Sequence, residues 1–338
     1  MQAAIFSHGP EGYTESPQWK SDSFCAESFR GYPGSRIQPM FRSRFALSST
    51  IDRVRKLSLT IALICAARDV SVAEDAHGDL IDRATKAFSG GRLDEAMALA
   101  NQAIEAGPAN PGGYSVRARV CEERREPARA LSDYDQMLKL DPRLADAWQR
   151  RGIAHFKLAH IDQAISDFDQ FLKLVPRQAP YHWQRGICLY FAGRFEDGRE
   201  QFELHQTVNP NDVENAAWHF LCVARSAGLQ KARASLLPIR EDSRVPMMQV
   251  HALFAGKAVS VDVLNAARAG EPPGPERRQR LFYAHLYLGL YSEAIGDETQ
   301  AREHITKAVQ EYAGADYMSD VARVYLMLRE SKKQPRSK

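Results

Sequence analysis

The sequence predicts an all-α chain, an α-solenoid of about seven helical hairpins. Three observations carry that prediction. Four columns of residues recur every 34 positions: Ala96, Ala130, Ala164 and Gly198; Pro108, Pro142, Pro176 and Pro210; Leu80, Tyr114, Trp148 and His182; and Ala100, Tyr134, Phe168 and Phe202. Each unit also has a small residue on each of two helical segments, with Ala84, Ala118, Gly152 or Gly186 on the first. Small side chains at both places let the helices approach closely, and the larger residue four positions later fills the space on the same face. Finally, a proline closes each unit, stopping the second helix and turning the chain. No such unit can bury its apolar face alone, so the units must stack.

The elements follow in order. Residues 1–53 have no hydrophobic period and are rich in Ser, Pro, Gly and Arg, so they are expected to be disordered, or never translated if Val54 is the true start. Residues 54–73 have the shape of a secretory signal peptide. Arg55 and Lys56 precede an apolar run from Leu57 to Ala67, and small-residue cleavage sites follow at Cys65-Ala66-Ala67 and Ser71-Val72-Ala73. The run is too short to span a bilayer. Residues 74–245 hold the repeat array, whose fifth unit is weaker and keeps Ala232 in register. Residues 246–338 read as a degenerate continuation. A looser pair lies in Met247–Ala269, "GEPPGPE" is a loop, and Gly289, Ala301, Ile305 and Ala308 resume the columns. A last helix around Tyr317–Leu328 is expected to cap the stack. It turns polar only at its end, which leaves apolar surface for a partner or a second copy, with Tyr325 at the contact.

Composition narrows the function classes. The chain of 338 residues is 44% hydrophobic and 26% charged, with net charge +3. Residues 1–73 hold nine Lys/Arg and six Asp/Glu, leaving 36 of each for the remainder. A balanced body gives no reason to expect nucleic acid as partner. Membrane association is expected only if Cys65 is lipidated, and Ile64 stands before it where lipoprotein signals want a small residue. The other cysteines of the body, Cys121, Cys188 and Cys222, read as small core residues.

Four columns in one register with a closing proline resemble the tetratricopeptide (TPR) family. That resemblance implies a right-handed TPR superhelix whose first helices line the concave side. It also implies that the second, fifth, ninth and twelfth residues of a unit face the groove. With units starting at Pro111, Ala145 and Ala179, those places include Ser115, Arg119 and Glu122, then Gln149, Ile153 and Phe156, then Trp183, Ile187 and Tyr190. Gly152 and Gly186 are 34 apart but Trp148 and Trp183 are 35 apart. One residue is about 100° of helix, so Trp148 packs between helices while Trp183 turns into the groove and His182 takes its seat. The expected partner-binding groove is therefore Arg119, Gln149, Ile153, Phe156, Trp183, Ile187 and Tyr190, an aromatic wall suited to a protein or peptide ligand. The alternative is that these aromatics pack on neighbouring units. The carboxylate clamp of chaperone-binding TPR domains is absent, because its places hold Ser115, Arg119, Arg150, Pro180 and Gln184.

The segments "HWQRGICLYFAGRFEDGREQFELHQTVNPNDVENAAWHFLC" and "LFYAHLYLGLYSEAIGDETQAREHITKAV" are distantly similar to NlpI-type periplasmic TPR lipoproteins. That similarity implies an exported adaptor in the periplasm or cell envelope. No catalytic motif, metal ligand set or cofactor loop is present in the sequence, so neither an enzyme nor a cofactor is expected. His155 and His285 read as core histidines. The one arrangement that could be assembled for acid–base work is His219 with Glu214 and Asp212. Asp212 is the expected cap of the helix that carries the other two.

Overall fold

The computed structural model describes residues 77–331, and the expectations for residues 1–73 lie outside them. Among the described residues the chain is helical with no strand. Helix α1 (77–89) pairs with α2 (Leu93–Ala106), α3 (Pro111–Glu123) with α4 (Pro127–Leu140), and α5 (Ala145–Lys157) with α6 (Ile161–Leu174). Next come α7 (Trp183–Phe191) with α8 (Phe195–Gln206), and α9 (Val213–Ala227) with the short α10 (Leu229–Ala234). The last two hairpins are α11 (Met247–Phe254) with α12 (Ser260–Arg268), and α13 (Gly274–Ala294) with α14 (Glu298–Lys307). A π turn at Ala308–Tyr312 leads to α15 (Tyr317–Ser331). Each hairpin packs on the next, as an α-solenoid requires.

The columns do the work their spacing implied. A Cβ added at Gly152 would lie 2.5 Å from the Phe168 ring, one at Gly186 2.7 Å from Phe202, and one at Gly289 2.6 Å from Ile305. The small residue on a first helix is thus the hole for the large residue sixteen places later. The turns inside the hairpins repeat as well. Gly91, Arg125, Ala159 and Gly193, each 34 beyond the last, all have positive φ, from 58° to 77°. Glycine adopts that conformation freely, and Arg125 and Ala159 adopt it against a steric cost. Helix starts are capped by Asn110, which accepts from the Gly112 amide at 2.8 Å, and by Asp212, which accepts from the Glu214 amide at 3.1 Å.

Two boundaries differ from expectation. The first helix of the fourth unit begins at Trp183 rather than Ala179, because Pro176–Tyr181 is a 3₁₀ segment. Pro180 has no amide hydrogen and disfavours helix at the residue before it. The loop after α12 ends sooner, since α13 starts at Gly274 with Pro275 in its first turn, where the missing hydrogen would be unpaired anyway. Cys121, Cys188 and Cys222 are free and buried, and burial pushes all three thiols up.

The core is uneven along the chain. Helices α1–α3 and α3–α5 share two small apolar clusters, whereas one large cluster runs from Phe156 to Tyr325. Its spine is α13, buried on every side from Leu281 to Glu293, with His285, Ser292 and Glu293 among the buried residues. Arg244 ties α9 to this region by ion pairs to Asp212, Glu214 and Asp242, all at 2.6 Å. The Tyr287 hydroxyl donates to Glu214 at 2.7 Å.

Candidate functional site

The inner wall is built from the first helices α3, α5 and α7. Behind it, a column of arginines 34 apart stitches the hairpins together. Arg117 donates to Asp133 on the second helix of its own hairpin and to Asn101 on that of the preceding one. Arg151 repeats this with Asp167 and Asp135, and Arg185 with Gln201 and Asp169. Each partner stands sixteen residues before or after its arginine, so the geometry recurs with the repeat. His219 is the next member of the column and faces Glu203 at 3.4 Å. Arg117, Arg151 and Arg185 are themselves a 34-residue spacing in the sequence.

At the fourth unit the substituted column position is satisfied. Trp148 donates from its indole nitrogen to the Pro142 carbonyl at 2.8 Å, packing between helices as expected. His182 takes that seat one unit later, 3% exposed, between the rings of Phe168 and Phe171. Its Nδ1 accepts from the Arg185 amide at 3.3 Å, so its proton sits on Nε2 and is donated to Gln149 at 2.6 Å. Burial pushes this imidazole down to about 4.

The aromatics do face inward, but they do not form an open wall. Phe156, Ile187 and Tyr190 are 0%, 1% and 4% exposed, and this corrects the expected exposed cluster. The cover is α15. Tyr317 stacks on Phe156 at 5.1 Å and meets Trp183 edge-on at 5.1 Å. Trp183 stays half-buried, packed against the core. Nearer the N-terminus Arg119 lies over the Phe88 ring at 4.3 Å and is partly exposed. Gln149 and Ile153 are partly exposed too, and Ile153 lines a small cavity with Glu122, Arg125 and Lys157. The structure therefore divides the expected groove into an accessible part on α3 and α5 and a part covered by the chain's own last helix.

Residues that sequence reasoning missed hold α15 in place. Asp320 pairs with Arg125 and with Arg323 at 2.8 Å, and lies 3.6 Å from the Lys157 amine. Arg329 and Arg225 both pair with Glu293. Tyr325, expected at a contact between copies, is instead 5% exposed inside the molecule, beside the cavity lined by Tyr190, Glu293 and Arg329.

The histidine–carboxylate arrangement near residue 212 is not brought together. His219 turns to Glu203, while Asp212 and Glu214 are held by Arg244. Burial opposes ionisation of Asp212, but His205 and Arg244 together hold its carboxyl below the ordinary value. Burial pushes Glu214 up to about 7 against the pull of Arg244, and pushes His219 down. These are the shifts of an internal ion-pair network. Among the described residues no group of three His, Cys, Asp or Glu is placed to hold a metal ion, and no helix is long and apolar enough to cross a membrane.

Models of the tetratricopeptide repeat match residues 81–145 and 116–182. Among solved structures, a tetratricopeptide repeat protein from Parabacteroides merdae is 14% identical, covering 75% of this chain and 99% of that one with a TM-score of 0.51. Pseudomonas aeruginosa pilF is 14% identical over 77% of this chain and 99% of its own, with a TM-score of 0.41. The first TPR of Spaghetti (RPAP3), bound to the HSP90 peptide SRMEEVD, is 30% identical over 30% of this chain and 79% of its own, with a TM-score of 0.29. Two overlapping repeat models show that residues 81–182 are tetratricopeptide repeats, and hairpins stacked in sequence order continue the same architecture through the rest of the described residues.

Proposed function

We propose that the protein is a non-catalytic, exported scaffold that binds a protein or peptide segment on its inner wall. The observation that carries this reading is the seating of α15. A wall of first helices that accepts one amphipathic helix, by aromatic contact and a charged anchor, has the shape and chemistry of a helix-binding surface. The accessible residues beside it, Arg119, Gln149 and Ile153, extend the same wall toward the N-terminus. Export rests on the basic-then-apolar pattern of residues 54–73.

The test uses the chain and an Arg119→Ala/Ile153→Ala variant, both partly exposed positions on this wall. Each is exposed to an extract of the native cell envelope, and bound proteins are identified by mass spectrometry. The expected result is one protein retained by the parent and lost by the variant, with identical circular dichroism. Identical lists would remove this wall as the binding surface. Mass spectrometry of the native N-terminus tests export: a mature chain beginning near residue 74 supports it, and a peptide from within residues 1–53 overturns it.

A further inference from the structure

The seat of α15 is well shaped but poorly satisfied. Asp320 has its second oxygen, Oδ2, without a hydrogen bond, although Lys157 stands 3.6 Å away. Glu293 likewise leaves Oε2 unbonded while Arg225 and Arg329 crowd its other oxygen. Tyr317 has only a weak sulfur partner in the Cys188 thiol beside its hydroxyl. A solvent-open cleft of about 190 Å³ lies beside the second half of the helix. Buried polar atoms without partners cost free energy, so a helix that satisfied them would bind this seat more tightly than α15 does.

The clamp is also built at a strained place. Arg125 occupies the left-handed turn position with φ 58°, where the first and fourth units have Gly91 and Gly193. The residue that pays this steric cost is the one whose guanidinium reaches across to Asp320.

We propose that the wall of α5 and α7 is a docking surface for a partner α-helix carrying an aromatic residue and, three positions on, a carboxylate. Helix α15 holds that place until such a helix displaces it. The aromatic takes the slot between Phe156 and Trp183, and the carboxylate meets Arg125 and Lys157, which supply positive charge from two successive hairpins. This rests on the scaffold reading and names the kind of partner the wall accepts.

The probe is a labelled peptide of residues 313–331, added to the full chain, to Asp320→Asn and to Arg125→Gly. Asp320→Asn weakens the internal helix and leaves its seat intact, so it should bind the peptide at least about ten-fold more tightly than the parent chain. Arg125→Gly relieves the turn and removes half the clamp. It should release α15 yet bind the peptide more weakly than Asp320→Asn. Equal binding by all three chains overturns the proposal. Should Asp320→Asn fold poorly, hydrogen exchange on the parent chain decides. Amides of α15 exchanging ahead of those in α5 and α7 support displacement, and exchange only with global unfolding overturns it. Competition between peptide and a captured protein supports the proposal. Capture without competition overturns it while leaving the scaffold reading standing, and peptide binding with no captured protein overturns the scaffold reading alone.

Discussion

At the scale of single residues, small side chains decide how close two helices come. Gly186 is pressed against the Phe202 ring, and both are buried, so a methyl group there has nowhere to go. Gly186→Ala should cost about 1–3 kcal/mol by overpacking, read as a lower urea midpoint at unchanged m. An unchanged midpoint would mean the hairpin yields. His182 makes a second prediction. Its folded pKa lies at about 4 against an ordinary 6.5, so the unfolded chain takes up a proton first as pH falls. The stability it contributes is complete above pH 6.5 and is lost between there and about pH 4, by up to about 3 kcal/mol. His182→Asn, which can still cap α7, should flatten the fall in urea midpoint across that window. His285, also pushed down to about 4, keeps part of the slope in the variant.

At the scale of elements, the arginine column is what couples one hairpin to the next by more than apolar contact. Arg151 spans α4, α5 and α6, and its partner Asp167 has a side chain only 4% exposed. Arg151→Ala should destabilise by about 3–5 kcal/mol, because it leaves a buried carboxylate without its counter-ion. Arg151→Lys should recover only part of this, since an ammonium cannot reach both carboxylates in the planar, two-pronged way a guanidinium does. Chemical denaturation of the two variants checks the ranking; equal stability would remove the column as a source of coupling.

At the scale of the whole molecule, the cores differ in size along the chain. The two small clusters that hold α1–α4 contrast with the single large one from α5 to α15. In a stack where each hairpin touches mainly its neighbours, stability adds up locally. The N-terminal hairpins should therefore open first. Hydrogen exchange in α1 and α2 is expected to run ahead of that in α9 and α13, and uniform exchange would contradict the expectation.

What the sequence determined by itself was the periodic hairpin architecture. The 34-residue columns located the first five hairpins and their resumption at Gly289, put small residues where paired helices approach, seated Trp148 and His182, and made the three cysteines internal, while the structure added that Phe168 and Phe202 fill the holes left by Gly152 and Gly186. These contacts lie within a hairpin or between adjacent ones, so the repeat spacing encodes them. Helix initiation at Trp183 departs from the repeat register because the local constraint of Pro180 outweighs it. Only the tertiary structure decided what lies on the inner wall. Arg125 and Asp320 are 195 residues apart, and no period links them. Helix α15 occurs once, so its seat on Phe156 and Trp183 is a long-range contact that no repeat or local pattern encodes.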